Sequence, residues 1–426
     1  MRRDLIIVGA GPAGMAAALA AHRAGVRPTL VDENAAIGGQ IYRQPPSTIR
    51  TAVPSASSAD GQRGAVLRSQ IESSSAHIEL LTETSIWGCF PGNRLAVQCC
   101  GGWQMLTAKQ LIFATGAYEF VPPFPGWTLP GVMTPGAAQS MVKSMGVLPG
   151  KRVAVVGCGP FLLVVANQLH AAGMEVAAVV EVARRRRFLR HSVGLLSDRG
   201  LLRQGLTYLR NLRKAGIPMY WGRLVTEAQG AGELESVTVS RCDDRGHPVG
   251  QAKRLAVDTL CVGYGFVPRT ELAQLAGCHM RYLDKQGGWV AETDETFQTS
   301  VPGVRVAGDG AGIAGAVVAE LEGTLAGLAA ARDLGCLNGP SHAAQSAPTA
   351  RRLSKLRRFR RSLDQVYRVP SQITELASPE TIVCRCEELT RRDVETGIEF
   401  GGRDLRTLKV TTRLGMGPCQ GKMCWL

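Results

Sequence analysis

No stretch of this sequence is both long and apolar enough to span a bilayer. Aromatic residues are scarce, 5% of 426. They are not interleaved with basic residues as a platform for stacked bases, which argues against nucleic acid as a partner. Acids are missing from two basic stretches. Arg184–Arg190 holds five arginines, and Arg351–Arg361 holds seven Arg or Lys. Together they carry twelve of the fourteen net positive charges, so the excess is two local patches. The twelve cysteines do not form the dense framework of a small secreted domain: eight are scattered and four gather at the C-terminus.

At roughly 100–200 residues per domain, the length predicts two to four domains. Met1-Arg2-Arg3 and the apolar run Leu5–Ala21 have the outline of a signal peptide, but Gly9, Gly11, Pro12 and Gly14 interrupt it and have a better explanation. The expected location is cytoplasmic, with peripheral contact at the inner membrane as an option.

Asp4–Val8 reads as a buried strand. Gly9-Ala10-Gly11-Pro12-Ala13-Gly14 follows, then an alanine-rich helix to Ala24, Gly25, and a second strand ending in Asp32-Glu33. This is a complete βαβ dinucleotide fingerprint. Gly9 allows the tight turn, Gly11 the approach of a pyrophosphate, and Gly14 close packing of helix on strand. Amide groups at the helix start attract phosphate. Asp32 and Glu33 are both candidates for the ribose hydroxyls. Three further elements resemble the flavin disulfide-reductase superfamily. They are Gly38-Gly39-Gln40, the strand end Ala114-Thr115-Gly116, and Val304-Arg305-Val306-Ala307-Gly308-Asp309-Gly310, with Gly312 and Gly315 opening a helix. The resemblance implies FAD at this site, with Asp309 on the ribityl chain.

A second βαβ pattern runs through Gly157-Cys158-Gly159-Pro160-Phe161-Leu162 to a strand ending in Glu181. Its third glycine position is Leu162. Glu181 suits an NAD ribose and Arg184–Arg187 a 2′-phosphate, so NAD(P), another nucleotide or no ligand remain alternatives. No Cys-x-x-Cys pair lies near the flavin elements, which excludes thioredoxin- or glutathione-reductase chemistry.

Asn338–Thr349 reads as a linker, and Arg351–Arg368 as a basic amphipathic helix with Leu353, Leu356, Phe359, Leu363 and Tyr367 on one face. At the end, Cys384-Arg385-Cys386 and Cys419-x4-Cys424 supply four thiolates from two loops. They suit a [2Fe–2S] cluster, with zinc as the rival. The module resembles the bacterioferritin-associated-ferredoxin-like cluster domain.

Gly38–Arg43, Pro125–Met133 and Gly415–Cys424 together resemble the FAD-containing α-subunits of bacterial amine- and imino-acid-oxidising complexes. These include opine oxidase A subunits, hydrogen cyanide synthase B subunits and D-hydroxyproline dehydrogenase α-subunits. The resemblance implies an α/β flavoprotein with two dinucleotide-binding domains, disulfide-reductase-like, and a small helical C-terminal [2Fe–2S] domain. The expected boundaries are 1–125 with 258–337 for FAD, 126–257 for the inserted NAD(P)-like domain, 338–378 for linker and basic helix, and 379–426 for the cluster. It also implies a β-subunit resembling D-amino-acid oxidases, FMN between subunits, a small ferredoxin-like γ-subunit, and delivery of electrons to the respiratory chain. D-hydroxyproline is the first expectation for substrate and opines the second. An independent NAD(P)H-dependent reductase, a non-catalytic scaffold and a glycine-oxidising subunit of a cyanide synthase are the alternatives.

Overall fold

The computed structural model describes residues 2–46, 59–99 and 101–424. Leu5, Ile6, Ile7 and Val8 are all buried, as expected of a parallel strand covered on both faces. Their strand, Arg2–Val8, sits centrally in a seven-stranded sheet. Parallel to it run Pro28–Val31 on one side and Gly102–Phe113 on the other. The strand Val304–Val306 returns from far along the chain to pair in parallel with Leu111–Phe113. The helix Pro12–Arg23 starts with proline in its first turn and is alanine-rich, a good helix composition. It buries Ala13–Ala21 between the sheet and the helix Ala316–Asp333. The two helices nearly touch along their backbones. A Cβ on Gly323 would stand 2.0 Å from the Ala13 carbonyl oxygen, and one on Gly327 2.4 Å from that of Ala17.

The second fold is a five-stranded sheet, parallel throughout, with Arg152–Gly157 at its centre. Its neighbour Thr259–Gly263 pairs Leu260 with Ala154 and Val262 with Val156. The second fold therefore extends to Gly263, beyond the expected boundary at 257. The chain re-enters the first fold where Phe266–Pro268 pairs with Ala117–Glu119.

The expected linker is corrected. Residues 339–349 lie in a single helix, Gly339–Val366, capped by the Asn338 side chain, which accepts from the Ser341 amide at 2.8 Å. Alanines 343, 344, 347 and 350 favour the helix, which carries Pro348 inside it. Its later half is the expected amphipathic helix. Leu353 and Leu356 enter the core of the first fold, while Phe359 and Val366 pack with Leu195.

The C-terminal module pairs Ile382–Cys384 with Leu389–Thr390 and adds the helices Arg391–Glu399 and Leu405–Thr412. Leu408 and Leu414 fill its core beside Cys384, with Leu389 and Val394 against them. Ile398, on the first of these helices, is half exposed. The module is fastened to the second fold. Trp127 Nε1 donates to the Ile382 carbonyl at 2.6 Å, and the Arg385 guanidinium lies 5.4 Å from the centre of the same indole.

Candidate functional site

The first loop is built by close approach of main chain. Gly9 has φ +101°, and a Cβ there would lie 2.3 Å from the Ala114 carbonyl oxygen. Gly14 could carry no Cβ at all, because that atom would be 1.7 Å from the Gly9 carbonyl oxygen. Gly14 thus fits the helix to its own turn rather than only to the strand. Gly11 is the N-cap of the helix, with Pro12 first inside it. The nearest atom to a Cβ on Gly11 is Gly39 Cα at 3.8 Å, so this side of the loop is the one left free of packing. Gly38 (φ +130°) and Gly39 (φ +59°) bring the next segment over the loop, and the Gly38 amide donates to the Ala10 carbonyl at 2.8 Å. Gln40 is exposed.

The two candidate acids divide. Asp32 is buried: its Oδ2 accepts from the Ala10 amide at 2.6 Å, and its Oδ1 from the Asn34 amide and side chain. Glu33 is exposed and pairs with Arg269 at 3.2 Å. The remaining elements converge here. Ala13 clusters with Ala114 and Ala319. A Cβ on Gly308 would meet Ala13 Cβ at 2.7 Å, and one on Gly310 would lie 3.2 Å from Thr115 Oγ1. Thr115 Oγ1 donates to the Arg269 carbonyl at 2.7 Å, and Gly116 (φ +71°) turns the chain away. Asp309 Oδ1 accepts from the Ala314 and Gly315 amides at 2.9 and 3.0 Å. Gly315 (φ +92°) then caps the helix Ala316–Asp333.

One residue here was missed by sequence reasoning. Glu322 is buried in an apolar helix, where it accepts from the Gly308 amide at 3.1 Å and from Arg357 at 2.9 Å. Burial pushes its carboxyl up to about 7, although Arg357 pulls it down. The available signal was an acid among helix residues otherwise spaced for the core.

The second loop differs. Gly157 is again crowded, a Cβ there falling 1.7 Å from the Gly263 carbonyl oxygen. Gly159 adopts φ +121°, whereas Gly11 has φ −77°. The helix begins one residue later, at Phe161, and Leu162 is buried in the core beneath it. Glu181 takes the place of Asp32, accepting from the Gly159 and Ala183 amides at 3.0 and 2.8 Å. Burial pushes its carboxyl up to about 8, with those amides opposing. Burial, with Glu181 and Cys158 adding to it, holds the Tyr367 phenol well above its ordinary range. Phe188 stands edge-on between Trp221 and Tyr367, at 5.2 and 5.5 Å. The arginines expected for a 2′-phosphate are engaged elsewhere. Arg184, Arg186 and Arg187 pair with Asp244, and Arg185 lies over Trp221.

At the C-terminus the two cysteine loops come together. Cys384 and Cys424 share one small core, and Cys386 and Cys419 lie close enough to shift each other's ionisation. A Cβ on Gly417 would lie 2.2 Å from Cys386 Cβ, so only glycine lets the loops meet this closely. Burial opposes it, but the amides of Met423, Gly421 and Lys422 help hold the Cys419 thiol below its usual range. Burial pushes Cys424 up to about 12. Among the described residues, no three His, Cys, Asp or Glu side chains stand in a ready coordination geometry; the thiols approach as two pairs. Lys422 pairs with Glu271 at 3.2 Å, tying this loop to the first fold.

Residues 3–323 match the pyridine nucleotide-disulphide oxidoreductase family. Hydrogen cyanide synthase subunit HcnB of Pseudomonas aeruginosa is 38% identical, over 98% of this chain and 90% of that protein. The opine oxidase A protein of Agrobacterium tumefaciens is 36% identical, over 99% and 84%. L-proline dehydrogenase from P. horikoshii shares the fold with a TM-score of 0.68 at 21% identity, over 100% of this chain and 72% of its own. Thioredoxin reductase from T. acidophilum does so at 0.56 and 20%, over 78% and 98%. Among the described residues no helix is long and apolar enough to cross a membrane. The glycine loop, the family match and these relatives together make the chain a flavin-dependent oxidoreductase with FAD as its flavin, belonging to the pyridine nucleotide-disulphide oxidoreductase family and, within it, with the HcnB and opine oxidase A proteins.

Proposed function

We propose that this chain is the electron-relay component of a heteromeric dehydrogenase acting on a secondary amine or imino acid. In this reading FAD lies on the first loop, and Cys384, Cys386, Cys419 and Cys424 hold a [2Fe–2S] cluster. The observation that carries the reading is the meeting of four thiols from two loops in two pairs, on a module seated against both folds. A diiron cluster takes two cysteines per iron, and the donor set fits it. The relatives support a role within a complex. Besides HcnB and opine oxidase A, the sarcosine oxidase α-subunit of Rhizobium meliloti is 30% identical over 78% of this chain and 31% of that protein.

A flavin accepts an electron pair and releases electrons singly, which is what a one-electron iron–sulfur carrier requires. The chain's own residues position these groups. Amides following Gly11 at the helix start face the pyrophosphate. Asp32 takes the ribose, because Glu33 is held outward by Arg269. Asp309, fixed through Oδ1, offers Oδ2 to the ribityl chain. Amides of the Cys419 loop stabilise charge on sulfur. No substrate pocket motif is evident, so amine oxidation falls to a β-subunit with its own flavin. D-hydroxyproline or a related imino acid is the substrate class we favour, followed by opines and then glycine. An independent NADPH reductase is less well supported, because Arg184, Arg186 and Arg187, which would bind a 2′-phosphate, are already paired with Asp244.

The test is iron, labile sulfide and flavin analysis of protein purified without oxygen. Wild type should hold two irons per chain, roughly as one cluster requires. Cys419→Ser should lose the iron and keep the FAD, and the chain alone should turn over no amine. One zinc with no iron, or steady amine oxidation by the isolated chain, overturns the reading.

A further inference from the structure

Between Arg184 and Lys214 the chain carries ten Arg or Lys and one acid, Asp198. That acid is occupied as a helix cap, accepting from the Gly200 and Leu201 amides at 3.0 Å. The segment folds as two short helices, Arg185–Arg190 and Ser192–Leu195, followed by the long helix Arg199–Lys214. The inner side of the long helix is satisfied: Leu212 is buried, with Tyr208 and Leu209 against the core of the second fold. The outer side is unusual. Arg199, Arg203, Leu206, Arg210 and Arg213 follow one another at helical spacing, and all five are exposed. Among the described residues, none of these four arginines, nor Arg190 or Lys214, has a carboxylate within ion-pair distance. Beside this stripe, the preceding turns push aliphatic side chains into solvent: Leu189 is 79% exposed, Val193 84%, Leu196 57%, and Leu206 on the stripe itself 56%.

Exposed aliphatics in the same segment as unpaired arginines are the chemistry of a helix that lies in a lipid headgroup layer. Guanidinium forks match lipid phosphate, and the aliphatic tips enter the acyl boundary. Protein interfaces also use arginine but anchor on buried aromatics, and the stripe carries none. The molecule presents that kind of surface elsewhere, on the antiparallel strands Ser85–Phe90, Arg94–Cys99 and Gly102–Phe113, where Trp87, Phe90, Trp103 and Met105 are exposed. We infer that the arginine-rich face of residues 185–213 docks the protein peripherally on an anionic bilayer. The inference rests on the relay reading only for its purpose, bringing the chain to a membrane where electrons leave.

Vesicle co-sedimentation of the full flavin-loaded chain tests it without any turnover. Vesicles of phosphatidylcholine with phosphatidylglycerol should retain the protein at low salt and release it at high salt, and pure phosphatidylcholine should not retain it. The triple variant Arg199→Glu, Arg203→Glu, Arg210→Glu should weaken retention by more than about tenfold. The milder set Leu189→Ser, Val193→Ser, Leu206→Ser should weaken it while keeping the preference for anionic lipid. Both variants should keep their flavin, since every substituted residue is exposed. No retention by anionic vesicles, equal retention by neutral ones, or full retention of the glutamate variant overturns the inference. So does loss of a co-purifying protein in that variant without vesicle binding by wild type, because the face would then belong to a protein. None of these results bears on iron content or amine turnover, which decide the relay reading separately.

Discussion

At Gly14 the first loop has no room for a side chain, because the Gly9 carbonyl oxygen would sit 1.7 Å from its Cβ. At the corresponding place in the second loop, Leu162 carries a whole side chain into the core. The two folds share a parallel sheet, a crowded first glycine and an acid that ties the loop to the second strand. They part at the middle glycine, φ −77° in one and +121° in the other, and in where the helix begins. A nucleotide-binding topology is therefore kept by the strands and the acid, whereas the direction of the loop amides depends on two residues.

The largest expected effect tests whether the first loop depends on Gly14. Gly14→Ala forces a Cβ onto a backbone oxygen that cannot move aside. The purified variant should be colourless at the flavin band or insoluble; full flavin occupancy would break the contrast. A smaller effect is expected in the second loop. Leu162→Ala removes buried volume and should lower stability by about 2–5 kcal/mol, read by denaturant unfolding, while the flavin band persists. Loss of flavin there would mean that the two loops act as one. The smallest effect concerns the acid. Burial raises Glu181 from an ordinary 4.5 to about 8, so the folded chain keeps this proton while the unfolded chain releases it. Stability should fall as pH rises through that window. Glu181→Gln should flatten the fall in Tm between about pH 5 and about pH 8. A wild-type slope that survives the substitution would assign it to another group.

Much of this was legible in the sequence where the cause is local. Gly9, Gly11 and Gly14 follow one another within a single turn, so spacing alone predicted the loop. The face of Leu353, Leu356 and Phe359 was legible for the same reason. What escaped depends on partners far along the chain. Asp32 and Glu33 are neighbours, and only the fold turns one inward to Ala10 and the other outward to Arg269. Thr259–Gly263 reads as a strand of either sheet until its register with Arg152–Gly157 is seen. Asn338–Thr349 has a linker's composition, but its alanines extend the helix anchored by Leu353. Glu322 looks like an ordinary helix acid until Gly308 and Arg357 close on it.

The return of Val304–Val306 to Phe113 also sets an order of assembly during synthesis. When the ribosome has made Phe113, the first sheet still lacks this strand and the helix Ala316–Asp333 that covers Ala13 and Ala17. The whole second sheet, ending at Gly263, emerges first. At roughly 5–20 residues per second, the half-built flavin fold waits on the order of ten to forty seconds for its missing pieces. Throughout that interval the alanine face of the first helix stays uncovered, so the nascent chain cannot close around its flavin until the helix ending at Asp333 has been made.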